Sequence, residues 1–422
     1  MRAGLLATQG IRGGANRKVL VKVKETSNFF LAESDRKWIP DGAAVHVSML
    51  GFDDGSEPNR VLDGHNVSQI NADLTAGADL TRAVRLPPNI GLAFMGDTKG
   101  GAFDIAEPLA RTSLLSPNPH GRPNSDVLRP WMNGMDVTRR ARGMWIIDFQ
   151  AGTAATGAAL YHDPFEHVQM NVMPVRKGNK RTAYAERWWM HVEPRPEMRR
   201  ARFMLSRFIG TTTVSKHRVF VWLFAPTIAD HQIIVFARDD DYFFGVLHSR
   251  LHEVWARATG TQLREAESGF RYTPTTCFET FPFPSPSDAQ REAIAVAAKE
   301  LDALRARWLN PPEWVKEDVL EFPASVDGPW ARMVTRPDND GIGTARYVRL
   351  VPADEKAAAA LKKRTLTNLY NDRPAWLANA HRNLDETVFA AYGWPPSLSD
   401  DELLAKLLEL NLAMAEADVR RG

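Results

Sequence analysis

MRAGLLATQGIRGGANRKVLVKVKETSNFFLAESDRKWIPDGAAVHVSMLGF, residues 1–52, decides how the fold begins. Ala3–Thr8 (AGLLAT) is a short apolar run suited to a buried strand. Gly13-Gly14 then opens a helix-like stretch, ANRKVLVKVKE, with Val19, Leu20 and Val23 on one face. Phe29–Glu33 (FFLAE) and Ala43–Phe52 (AAVHVSMLGF) read as two further strands, the second carrying Val45, Val47 and Met49 to one side. Strand, helix, strand, strand is too little for a sheet domain, and a doubly wound domain normally has a cofactor loop after its first strand. Gly10-Ile11-Arg12-Gly13-Gly14 and Gly96–Gly101 both miss the dinucleotide-loop and P-loop spacings. The segment therefore reads as the end of a larger α/β domain.

Working outward, the chain has 422 residues, enough for two or three domains, with 44% hydrophobic and 25% charged residues. The single cysteine, Cys277, excludes an internal disulfide framework and a Cys-rich zinc site, and reads as buried packing. The longest apolar run, Val219–Ala225, is far short of a membrane span, and the N-terminus lacks the apolar core of a signal peptide. A soluble, cytoplasmic, multi-domain protein without a membrane partner is the expectation.

The formal net charge is only +2, but its distribution is uneven. Residues 176–218 hold twelve basic side chains against Glu186, Glu193 and Glu197, a balance of +9, whereas residues 286–422 balance to −4. Tyr184, Trp188, Trp189, Phe203 and Phe208 are interleaved with the cations. Flat apolar groups beside phosphate-neutralising charges are the footprint of a polyanion surface. A solvated basic face with its aromatics in the core fits the same pattern.

Residues 76–285 are mixed and turn-rich, with strand-like Met144–Phe149, Arg218–Phe224 and Gln232–Ala237 and one expected helix from Tyr242 to Thr259. Residues 286–422 read as mainly helical, with capping boxes at Ser287/Gln290 and Ser399/Glu402. Six prolines between about 310 and 353 suggest a linker or extended arm.

Short motifs carry little. Asn310-Pro311-Pro312-Glu313 lacks the aromatic of an amino-methyltransferase motif and follows a helix, so it reads as linker. His248 and His252 have metal spacing but no third ligand, and read as a polar helix edge. Asp239–Asp241 reads as a helix cap, and Asp338, Asp340, Asp354 and Lys356 only weakly resemble a nuclease pattern.

A longer signal is spread over eight blocks: GRPNSDVLRPWMNGMDVTRR (121–140), MWIIDF (144–149), ERWWMHVEPRPEMR (186–199), TVSKHRVFVW (213–222), FARDDDYFFGVLHSRLHEVW (236–255), RYTPTTCFETFPFP (271–284), LTNLYNDRPAWL (366–377) and LDETVFAAYGWP (384–395). Together they resemble the C-terminal half of large bacterial class I adenine-N6 DNA methyltransferases. These include fused type IIL restriction–modification enzymes and related phage-defence methyltransferases. The resemblance implies the end of a Rossmann-like methyltransferase sheet over residues 1–75, an α+β target-recognition domain over 76–285 and a helical region over 286–422. It matches RAGLLAT to the strand after the catalytic Asn-Pro-Pro-aromatic motif. The S-adenosylmethionine loop and that motif belong upstream, so no catalytic, cofactor or metal residue carries over.

The resulting expectation is the DNA-recognition half of an adenine-N6 methyltransferase. It would bind duplex DNA and be completed by an N-terminal methyltransferase half on a separate chain, where S-adenosylmethionine would sit. Arg176, Lys177, Lys180, Arg181, Arg187, Trp188, Arg195, Arg199, Lys216, His217 and Arg218 are the candidate DNA-binding residues, most of them for phosphates and a minority for guanine edges. Trp188 and Trp189 also suit a core. The alternative is a non-catalytic DNA-binding or assembly subunit, or a vestigial fragment without a partner.

Overall fold

The computed structural model describes residues 2–13, 16–38, 45–262 and 269–420. They fold into two units, each discontinuous in sequence: Met1–Ile90 with Ser249–Ser287 and Val388–Gly422, and Gly91–His248 with Asp288–Thr387.

The first unit contains the opening segment. Strand β1 (Arg2–Thr8), helix α1 (Arg17–Thr26), strands β2 (Asn28–Trp38) and β3 (Val45–Asp53), and the short β4 (Arg60–Leu62) and β5 (His65–Val67) form one sheet in the order β1-β3-β2-β4-β5. β3 runs antiparallel to both neighbours, so β1 and β2 point the same way, with α1 as their crossover. Gly14 and the first two residues of the expected third strand, Ala43 and Ala44, lie outside the described residues. Asp63 and Gly64, both at positive φ, make the two-residue turn between β4 and β5. Leu20 of α1 packs with Ile11, Phe29, Ala32 and Leu50, but Val19, expected on the same face, is exposed.

The same unit holds the helices Arg250–Thr259 and Asp400–Val419. Ser399 and Glu402 do form a capping box. Asn411, buried on the second helix, bridges backbone between distant segments: its amide donates to the carbonyls of Val84 (2.8 Å) and Thr280 (2.7 Å).

The second unit has two four-stranded sheets. One orders Phe220–Phe224, Arg207–Thr212, Ile233–Phe236 and Ala93–Met95, all antiparallel. The other orders Ile228–Ala229, Leu128–Met132, Trp145–Ile147 and Asp104–Ile105. The Pro-rich segment is not a linker. Val315–Ser325 and Ile342–Pro352 form a long antiparallel hairpin, paired from Val315↔Pro352 to Ser325↔Ile342. Phe322 and Trp330 are buried in the same core as Trp131, Trp145 and Phe149.

The expected single helix over 242–259 is two, Asp241–His248 and Arg250–Thr259, broken where Ser249 caps the second by accepting from His252 N–H. Gly245 lies against the helix Asp288–Leu309, where a Cβ would fall 2.8 Å from Ile294 and 3.0 Å from Ala298. His248 and His252 are buried, not a polar edge. His248 Nε2 accepts from the buried Arg305 guanidinium at 2.8 Å, and His252 Nε2 meets the Tyr272 hydroxyl at 3.0 Å. Three of the carboxylates singled out above have structural roles: Asp240 accepts from Phe243 N–H, Asp354 caps the helix Glu355–Leu361, and Asp338 closes a turn on Ile342 N–H.

Candidate nucleic-acid interface

The basic stretch 176–218 divides into cations that build the second unit and cations that face water. Arg199, on the helix Pro196–Ala201, bridges two buried carboxylates, Asp97 and Asp148. Arg129 adds a second contact to Asp148 at 3.0 Å, and His191 sits 3.1 Å from Asp97 and 3.0 Å from the Ile147 carbonyl. Burial alone would raise the Asp148 carboxyl, but Arg199, His191 and Arg129 outweigh it and hold the group far below the usual carboxylate range. A buried ion-paired cluster of this kind orders the fold, and its arginines are turned to internal acceptors.

Arg176 has the same character. Its guanidinium donates to the carbonyls of Lys99 (2.6 Å), Gly100 (3.2 Å), Arg187 (3.3 Å) and Met190 (2.6 Å) and lies over the Phe103 ring. Burial pulls it down to about 10. It fastens both ends of the segment 177–190 to the turn at Lys99-Gly100. That turn needs its glycine: Gly100 has φ +66°, and a Cβ there would strike Val192.

Arg218 is buried and donates to Thr211 Oγ1 and the Thr212 carbonyl. Arg195, in the left-handed region at φ 48°, stands at the N-cap position of its helix and turns its side chain to the Gly96 carbonyl and Glu193. Trp188 packs on Phe165 and Trp189 in the core, and Trp189 donates to the Thr153 carbonyl. Of the candidates, then, Arg176, Trp188, Arg195, Arg199 and Arg218 are engaged within the fold.

Lys177, Lys180, Arg181 and Arg187 are exposed, along a span of eleven residues that Arg176 pins at its base. Among the described residues, none forms an ion pair with Lys177, Lys180 or Arg187. Arg181 stacks on Tyr184 and donates to its hydroxyl at 2.8 Å. Lys216 and His217 stand elsewhere on the unit, both hydrogen-bonded to Asn371 (2.8 and 2.9 Å). The candidate set missed Arg200, exposed on the Pro196–Ala201 helix, and the exposed Phe203 and Met204 just after it. Their sequence signal was the run RRARFM, where an aromatic and a thioether sit among arginines. No cluster of His, Cys, Asp or Glu among the described residues is arranged to hold a metal ion, and no described helix is long and apolar enough to cross a membrane.

The second unit thus carries an exposed cationic span whose base is fastened by Arg176. Residues 111–285 match the family described as MmeI, target recognition domain. The fold is similar to that of the type IIL restriction–modification enzyme MmeI, solved in complex with DNA, with a TM-score of 0.67 and 17% identity over 99% of this chain and 50% of that one. DNA methyltransferase A of Bacillus subtilis (strain 168) is 33% identical over 81 residues, 19% of this chain and 9% of that protein. The chain thus spans about half the length of the MmeI chain and a small part of the curated relative.

Proposed function

We propose that the chain is the DNA-recognition half of a site-specific adenine-N6 DNA methyltransferase of the restriction–modification or phage-defence kind, with residues 76–285 as its target-recognition domain. The observation that carries this reading is the braced cationic span 177–187 within a domain of the MmeI target-recognition family. Lys177, Lys180, Arg181 and Arg187 neutralise phosphates, with Lys216 and His217 as a second contact point. Arg176 and Arg199 act indirectly, by holding the span in place.

The methyl donor in this class is S-adenosylmethionine. The turn after β1, Gln9–Arg12, does not fit it: it buries Ile11 and directs Arg12 to the Asp73 carbonyl, so it forms no cofactor cradle. We assign donor binding and transfer to adenine N6 to an N-terminal methyltransferase half. Among the described residues β1 is the outer strand of its sheet, with Leu6 exposed, and we assign that edge to pairing with this half.

Fluorescence anisotropy with labelled duplex DNA tests the first part. Log affinity falls linearly with log salt, by roughly 0.9 per phosphate neutralised. Binding that is absent at low salt overturns the reading. Supplying the N-terminal half tests the second part: labelled methyl groups enter DNA at one short site only when both halves are present, and the modified base maps to adenine. Modified cytosine, or label incorporated by this chain alone, defeats it.

A further inference from the structure

The run Arg199-Arg200-Ala201-Arg202-Phe203-Met204-Leu205 ends one helix and leads into the strand Arg207–Thr212. Its side chains part company. Arg202 turns inward, donating to the Ala225 carbonyl at 2.9 Å and lying 4.5 Å over the Phe208 ring. Leu205 packs against the cluster of Phe208, Leu223, Ile233 and Val235. Between them Phe203 and Met204 are 77% and 73% exposed. Two large apolar side chains standing adjacent in water are an unfavourable arrangement that burial elsewhere in the chain does not relieve.

The backbone beneath them is fixed. Phe203 N–H donates to the Arg200 carbonyl (3.3 Å), Leu205 N–H to the Arg202 carbonyl (3.0 Å), and the Arg332 guanidinium to the Met204 carbonyl. The tip is therefore a held turn with an apolar point. Arg200 and Arg332, both exposed, flank it, and Glu197 is the one carboxylate of the preceding helix.

We propose that Phe203 and Met204 form an apolar wedge that enters a DNA base step while Arg200 and Arg332 hold the adjacent phosphates. An apolar point between cations matches what a partly unstacked step offers, an apolar gap between two phosphate rows. The occupant is duplex DNA because the flanking charge is positive and the tip belongs to the target recognition domain. This inference rests on the DNA-binding reading above.

The wedge must unstack a step, so a step already weakened should bind better. The test compares the full chain on a matched duplex and on the same duplex with one central mismatch, at fixed salt. The chain binds the mismatched duplex about fivefold or more tightly, and F203A/M204A binds the two equally with an unchanged Tm. K177Q/K180Q weakens both and keeps the preference. Equal binding of both duplexes by the unaltered chain, or a preference that survives F203A/M204A, overturns the wedge and leaves the DNA reading intact. No binding to either duplex defeats the DNA reading itself, and the wedge with it. If light scattering shows that F203A/M204A converts a dimer to a monomer while the preference persists, the tip is a contact between copies and the wedge is overturned.

Discussion

Arg176, Arg202 and Arg218 are buried and Arg199 is largely covered, its side chain 16% exposed, whereas Lys177, Lys180, Arg187 and Arg200 stand in water, although all eight lie within one stretch of 43 residues. All four of the inward-turned cations are arginines, and the stretch's three lysines, Lys177, Lys180 and Lys216, are all exposed. The guanidinium presents five donors in a fixed plane, which suits it to collecting carbonyls or bridging carboxylates. Arg176 does the first and Arg199 the second. An ammonium is harder to dehydrate and stays outside. The local +9 balance is therefore not a count of phosphate contacts: part of it is internal scaffolding that orders the rest.

The comparison is broken most severely at Arg199. Arg199→Met leaves Asp97 and Asp148 buried with their main counter-ion gone. Breaking a buried pair from one side costs about 3–5 kcal/mol. Urea denaturation reads that loss, and DNA affinity falls with it because the domain unfolds. A variant that keeps its stability would show that the carboxylates are satisfied without Arg199.

Arg176→Met removes the donor shared by four carbonyls, at a cost of about 2–3 kcal/mol, since solvent reaches part of what is exposed. Its more telling effect is local. Limited proteolysis should cut between Lys177 and Met190 well below the global transition, while the unaltered chain resists. If cutting is unchanged, the span does not depend on this clamp.

How much of this was legible in the sequence follows from what each feature depends on. The β1-α1-β2-β3 run, the Ser399/Glu402 cap and the helices Asp288–Leu309 and Asp400–Val419 are local patterns of two or three residues' reach, and they were readable. The hairpin over 315–352 was not. Its prolines suggest a linker, but Val315–Ser325 is an edge strand of its sheet, where Pro323 gives up an N–H that the ladder does not need. Trp330 and Phe322 were the overlooked signal, large apolar residues with no place in a solvated arm. The sorting of arginines was equally hidden. Arg199 is drawn inward by Asp97 and Asp148, which are 102 and 51 residues away, so no window around it reports its fate.

A third prediction uses pH. His381 is partly buried beside Tyr370, its Nε2 2.9 Å from the hydroxyl. Burial first, then the charges of Arg305 and Arg373, lower its pKa to about 3 from an ordinary 6.5. The folded state thus binds its proton less readily than the unfolded chain does. Its contribution is complete above pH 6.5 and is lost as pH falls toward 3, at about 1.4 kcal/mol per pH unit. His381→Gln should flatten that slope in urea melts between pH 4.5 and 7. A slope unchanged by the substitution would assign the pH dependence to other groups.

The smallest effect on stability is the most informative for function. Lys177, Lys180 and Arg187 are exposed without ion pairs among the described residues, so replacing all three by glutamine should leave ΔG of unfolding within about 0.5 kcal/mol. The same variant should neutralise fewer phosphates, and each phosphate left without its cation lowers the slope of log affinity against log salt by about 0.9. Stability and salt slope then separate the two kinds of cation cleanly: Arg199→Met lowers stability first, and the triple glutamine variant lowers only the slope. Measuring both by urea titration and by anisotropy over a salt series gives four numbers that must fall in that pattern. A triple variant with an unchanged slope would remove the span 177–187 from the interface and shift the search to Lys216, His217 and the Arg200 helix, on the same unit but built on different elements.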